Sequence, residues 1–165
     1  MGTPERVFVG LGANLGNPRA ALAAAFDDLA ALPSTTLLAR SGLYRSAPVD
    51  ALGPDFLNAV AELRTGMEPL ALLRAMRAIE RRHGRQRSHR NAPRTLDLDL
   101  LIFGTRHIDT PELVLPHPRL CERAFALAPM ADLAPDLELG GVALREWLAR
   151  AAGQRVERLE EEPGP

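Results

Sequence analysis

An α+β fold is predicted by three features of the sequence: short segments whose apolar residues alternate with period two, two longer segments with apolar residues at helical spacing, and the order in which they follow one another. In residues 7–11, Val7, Val9 and Leu11 alternate with Phe8 and Gly10, the pattern of a first strand. The run Gly12-Ala13-Asn14-Leu15-Gly16 breaks it; Asn17 then offers a helix cap, Pro18 suits the first helical position, and Leu22, Phe26 and Leu29 form one apolar stripe before Pro33. A second strand is expected over residues 36–44, then a loop holding Pro48, Gly53 and Pro54, then a third strand over residues 56–63. Pro69 opens a second helix with Leu72, Leu73, Met76 and Ile79 on its apolar face, and Gly84 ends it. Residues 96–103 form the fourth strand. The order β-α-β-β-α-β is that of a ferredoxin-like core, an antiparallel sheet with two helices covering one face.

Beyond Gly104 the pattern is less regular. An apolar stretch spans residues 124–131, and Leu144, Trp147, Leu148 and Ala151 predict a terminal helix, so the core carries a C-terminal helical extension anchored by the lone tryptophan. From about residue 158 the chain reads as a frayed tail, acidic at Glu160, Glu161 and Glu162. At 165 residues, 46% hydrophobic and 25% charged, residues 1–165 are expected to form one domain. No apolar run approaches the roughly 18 residues of a spanning helix, and Glu5 and Arg6 stand where a secretory leader would be apolar. A cytoplasmic protein with no membrane partner is the expectation.

Two features of composition exclude whole classes of chemistry. Cys121 is the single cysteine, which rules out an internal disulfide and a multi-cysteine zinc site and reads as a small half-buried hydrophobe. All 20 residues of the Lys+Arg total are arginines. Without lysine there is no Schiff base, no Walker-loop lysine and no kinase strand lysine. An anion must be gripped by arginine, histidine, metal or backbone.

Asp97 and Asp99 flank Leu98 in the fourth strand, and alternation points both carboxylates to one face, with Leu101 and Phe103 following on that face and Leu96, Leu98 and Leu100 on the other. Two carboxylates so placed suit a cation, although the same pattern also occurs as two solvated aspartates at a strand end. Immediately before them, residues 81–94 hold six arginines and two histidines with no acid, leaving −7 on the rest of a chain whose net charge is −1. Glycine, polar residues and like charges between Arg82 and Ala92 predict a segment that triphosphate would order. Carboxylates for Mg²⁺ beside arginines for phosphate oxygens are the equipment of phosphoryl transfer.

Residues 90–101, Arg-Asn-Ala-Pro-Arg-Thr-Leu-Asp-Leu-Asp-Leu-Leu, closely resemble the signature of the 6-hydroxymethyl-7,8-dihydropterin pyrophosphokinases of folate biosynthesis. Gly12-Ala13-Asn14-Leu15-Gly16, Tyr44-Arg45-Ser46-Ala47-Pro48, Asp55-Phe56-Leu57-Asn58-Ala59, Pro116-His117-Pro118 and Arg123-Ala124-Phe125 resemble further motifs of the family in the same order, so the resemblance spans residues 7–150. It implies an ATP-dependent, Mg²⁺-dependent transfer of pyrophosphate to the pterin hydroxymethyl group with release of AMP. Asp97 and Asp99 would bind two Mg²⁺ ions, and Arg85 and Arg94 would join them as catalytic residues. The nucleotide would be held by Arg77, Glu80, Arg85, Arg94, Leu100, His117 and Arg123, and the pterin by Ser46, Val49, Phe56, Asn58 and Phe125. A monomer is expected. Asn91, Phe56 and Arg77 stand where many members carry tryptophan, tyrosine and glutamine.

Two rival readings compete with this one. A non-catalytic ferredoxin-like module that senses a small anion would need the arginines and no metal. RNA binding is disfavoured by only seven aromatic residues, scattered along the chain, and by the acidic remainder, so no nucleic-acid partner is expected.

Overall fold

Strand β1 (Glu5–Ala13) lies between two sheet neighbours, and the rest of the molecule is laid out around it. The computed structural model describes residues 3–47, 54–84 and 96–159. Helix α1 (Pro18–Ala30) begins as the sequence predicts, with the Asn17 side chain accepting the Ala20 N–H at 3.1 Å. Helix α2 (Pro69–Arg82) starts on its proline and is followed by Gly84 at φ 86°, a left-handed conformation that favours glycine. Among the described residues, strands β2 (Thr35–Arg40), β3 (Tyr44–Ser46), β4 (Phe56–Thr65), β5 (Asp97–Phe103) and, near the C-terminus, β10 (Val156–Arg158) complete a six-stranded sheet. Its order is β10-β3-β4-β1-β5, with β2 also on β4, and every pairing is antiparallel. The result is a mixed α/β protein with an antiparallel sheet and, among the described residues, four α-helices.

The single second strand expected over residues 36–44 is two strands. Ser41 N–H donates to the Val60 carbonyl at 2.9 Å, while Ser41 Oγ accepts the Val60 N–H at 2.8 Å. A side chain thus takes a ladder bond that backbone would otherwise make, and β2 stops one residue earlier. Alternation along β5 also needs correction. The register to β1 shifts between Phe8 and Val9, opposite Ile102 and Leu100, leaving Leu101 as a bulge. Leu101 and Ile102 therefore pack on one face, and Phe103 turns to the other face instead of sharing that of Asp97 and Asp99.

Two hydrophobic clusters cover the two faces. On one, Val7, Val9, Leu11, Leu98 and Leu100 pack against Leu22 and Phe26 of α1 and Leu72 and Met76 of α2. On the other, Phe8, Val60, Leu101 and Ile102 meet Leu127 and Met130 of α3 (Ala124–Leu133) and Leu144 of α4 (Leu144–Arg150). Hairpins β6–β7 (Ile108–Asp109, Val114–Leu115) and β8–β9 (Glu138–Leu139, Val142–Ala143) lie outside the main sheet. Trp147 is half-buried, and its indole N–H donates to the Leu139 carbonyl at 2.9 Å.

The chain end is held further along than the tail expectation allows. β10 (Val156–Arg158) pairs with β3, and the Leu159 N–H donates to the Leu43 carbonyl at 2.9 Å, so Arg158 and Leu159 belong to the fold. The Tyr44 hydroxyl donates to Asp132 at 2.7 Å. Burial, and then that hydrogen bond, push the phenol up to about 12. Cys121 is half-buried with its thiol raised by burial, as a small hydrophobe would be. Among the described residues no helix is long and apolar enough to cross a membrane.

Candidate active site

Beyond the end of the α3 cluster, the second face of the sheet opens into a cavity of about 330 Å³. Its floor is made by alternate residues of the two adjacent strands: Gly10 and Gly12 of β1, opposite Asp99 and Asp97 of β5 in the register. A Cβ at Gly12 would stand 3.4 Å from Asn58 Oδ1 and 3.9 Å from the Phe56 ring, and one at Gly10 would stand 3.4 Å from Leu101. Side chains there would fill the floor. Glycines inside a strand signal such a close approach, a signal by which Gly10 and Gly12 could have been found in the sequence.

Asp97 and Asp99 are both half-buried and both line the cavity, while Leu98 between them is buried on the opposite face. This is the parity expected of the strand before its bulge. On the β4 side, Asn58 is 5% exposed and donates through Nδ2 to Ser46 Oγ at 2.7 Å. The amide is thereby oriented, with Oδ1 and its second hydrogen remaining for other partners. Phe56 lies on the same wall, and Phe125 faces the cavity from the start of α3.

A loop and a short 3₁₀ helix (Leu120–Glu122) bring cationic and donor groups to the aspartates. The His117 N–H donates to the Leu101 carbonyl at 2.8 Å, which ties this loop to β5. His117 Nδ1 accepts the Arg119 N–H at 3.2 Å, so the neutral ring carries its proton on Nε2. Its pKa lies below the ordinary value: burial lowers it, Asp99 opposes that, and Arg123 and Arg119 add to the lowering. The ring is a neutral N–H donor at pH 7. The Arg123 guanidinium sits 5.5 Å from the Phe125 ring centre and also lines the cavity. One cavity therefore combines a paired carboxylate floor, a donor and a cation facing it, and a slot between aromatic and amide walls.

The structure gathers Asp97, Asp99, His117, Arg123, Ser46, Phe56, Asn58 and Phe125 around this cavity. Leu100 is 3% exposed, its side chain belongs to the opposite core, and it does not line the cavity. Arg77 and Glu80 lie outside the cavity, at the outer edge of β5: Glu80 Oε2 accepts the Leu98 N–H at 2.9 Å, and Arg77 Nη1 donates to the Leu98 carbonyl at 3.0 Å. Arg85, Arg94, Val49 and Asn91 lie outside the described residues.

Residues 8–135 match the family model described as 7,8-dihydro-6-hydroxymethylpterin-pyrophosphokinase. A 2-amino-4-hydroxy-6-hydroxymethyldihydropteridine pyrophosphokinase of Pseudomonas aeruginosa is 50% identical over 157 residues, covering 94% of this chain and 97% of its own. A protein of the same description from Methylorubrum extorquens is 42% identical over 156 residues, covering 94% and 99%. Among solved structures, an HPPK-DHPS in complex with substrates superposes with a TM-score of 0.72 at 12% identity, over 90% of this chain and 43% of that one. The wild-type Plasmodium falciparum HPPK-DHPS with pteroate gives 0.71 at 12% identity, over 93% and 43%. At such identity the superpositions speak to fold alone, and the chain spans under half the length of those solved chains.

Proposed function

The chain belongs to the 7,8-dihydro-6-hydroxymethylpterin-pyrophosphokinase family, and from that membership we propose how its own residues perform the family's reaction. It is an enzyme of folate biosynthesis that transfers pyrophosphate to hydroxymethyldihydropterin. We take ATP as the donor: the pterin hydroxymethyl oxygen attacks the β-phosphorus, the bond from that phosphorus to the α-phosphate oxygen breaks, and AMP leaves. One observation carries the reading, the position of Asp97 and Asp99 opposite His117 and Arg123 in a cavity whose other wall is Asn58, Ser46 and Phe56.

Two half-buried carboxylates on one face fit a hard cation, and Asp97 and Asp99 would hold Mg²⁺, with two ions per site as our reading. Among the described residues no group of three or more His, Cys, Asp or Glu forms a metal site, so such a cation would draw its other oxygens from phosphate and water. When bound, Mg²⁺ neutralises phosphate charge and makes the attacking hydroxyl more acidic. Arg123 and the Nε2–H of His117 donate to phosphate oxygens, and Arg85 and Arg94 spread the charge of the moving group. Asn58 reads the amide edge of the pterin, with Ser46 and the Val49 backbone beside it, and Phe56 and Phe125 stack on its faces.

Strand order supports a ferredoxin-like reading of the core: the first strand lies between the third and fourth long strands, and β2 and β3 both flank the third. We take the enzyme to act as a monomer. Incubation with ATP, Mg²⁺ and the reduced pterin tests the proposal. AMP and the pterin diphosphate are the expected products; ADP, or no turnover, contradicts it.

A further inference from the structure

Among the described residues strand β5 is the last in the sheet, and on the side away from β1 its backbone meets no other described strand. Leu98 points both of its backbone groups that way. Its N–H belongs to the peptide plane joining Asp97 to Leu98, and its carbonyl to the plane joining Leu98 to Asp99. Helix α2 meets both: Glu80 Oε2 accepts the N–H at 2.9 Å and Arg77 Nη1 donates to the carbonyl at 3.0 Å. The ring is closed by Arg77 Nη1 donating to Glu80 Oε1 at 2.8 Å. Glu80 is 1% exposed.

We propose that Glu80 and Arg77 are positioning residues for the aspartate pair, holding the two peptide planes between Asp97 and Asp99 and thereby the directions in which both carboxylates leave the strand. Direct binding of nucleotide by Glu80 fits poorly with this geometry. Both of its oxygens are engaged by protein donors, and a carboxylate beside phosphates would repel them. An edge strand free to twist would let the aspartates splay. Two hydrogen bonds to the peptide planes between them are the most direct restraint the fold can apply, in the way that groups behind a metal's ligands orient those ligands. Arg77 is 38% exposed in its side chain and keeps further N–H groups available, so it can also face phosphate, whereas Glu80 cannot. The inference rests on the reading of Asp97 and Asp99 as the cation-binding pair.

Glu80→Gln is the test, because its amide places an NH₂ against a donor and breaks the ring with little change of volume. In metal-free protein, amide exchange at Leu98 should quicken about tenfold or more while exchange in the α1 core is unchanged. The Mg²⁺ concentration needed for half-maximal binding of a non-hydrolysable ATP analogue should rise about 10–100-fold, and kcat at saturating Mg²⁺ should fall while the KM for ATP holds. Arg77→Met should repeat the Leu98 effect. A raised KM for ATP with Leu98 exchange and Mg²⁺ requirement unchanged would make Glu80 a nucleotide ligand and overturn the proposal. A lowered melting temperature alone, with Mg²⁺ requirement unchanged, would make the ring merely structural and overturn it equally. Failure of the wild type to release AMP strikes the transfer reading instead; the exchange and analogue-binding ratios still judge the clamp.

Discussion

Strands β4 and β5 each contribute to both faces of the sheet, and the two faces receive different chemistry from the same few residues. Toward α1 and α2, β4 presents Ala59, Ala61 and Leu63, and β5 presents Leu98 and Leu100, all closed in a dry core. Toward the other side, the neighbours in sequence are Asn58, Asp97 and Asp99, which border an open cavity, and further along Val60 and Leu101, which meet α3. The period-two alternation of a strand is therefore enough to put stability and chemistry one residue apart. Substitutions on the first face should be read in unfolding experiments, and those on the second in binding and turnover.

The largest effect on the first face is expected from Leu63→Ala. Leu63 is fully buried and pairs with Val7 in the register, so truncation should cost about 2–5 kcal/mol by urea denaturation while both KM values are unchanged. A loss under about 1 kcal/mol would show that the face toward α1 and α2 does not carry the stability assigned to it. On the second face, Asn58→Ala removes the partner of Ser46 and the group proposed to meet the pterin. Calorimetry should show pterin binding weakened about 10–100-fold, with binding of an ATP analogue unchanged. Equal losses for the two ligands would place Asn58 outside the pterin wall.

How far this division could be read from the sequence varies by element. The parity of Asp97, Leu98 and Asp99 was legible because a short strand obeys strict alternation. The fate of Phe103 was not, since the bulge at Leu101 depends on the register with β1, a relation between distant segments. The break at Ser41 was hidden for the same reason: its hydroxyl ends the strand by bonding Val60, nineteen residues on. Cavity residues in the family's motifs were found by resemblance, and Asn58 by itself would have passed for an edge polar residue. Arg77 and Glu80 sit one turn apart, and the resemblance assigns both to the nucleotide; their contacts with the Leu98 backbone depend on how α2 packs on β5, which no local pattern encodes.

The smallest effect sharpens the boundary of the second face at β3. Tyr44→Phe removes the bond to Asp132 and should cost about 1–2 kcal/mol. Its pH signature has a definite sign. The phenol rises from 10.0 to about 12 on folding, so between those values the folded state binds more protons than the unfolded state. Stability supplied by the protonated phenol is complete below pH 10 and is lost as pH rises toward 12, and the Phe variant should lack this slope. An identical alkaline slope in both proteins would show that Tyr44 does not supply it.

Most directly at issue is whether the carboxylates on the open face carry the transfer while the closed face carries the fold. Asp99→Asn should be assayed beside the wild type for AMP release from ATP, Mg²⁺ and the reduced pterin, with thermal melting of both proteins recorded in the same buffer. Turnover should fall by about a thousandfold or more, equivalent to roughly 4 kcal/mol of transition-state stabilisation, at an unchanged melting temperature. Near-normal AMP release from a folded Asp99→Asn protein would contradict this expectation.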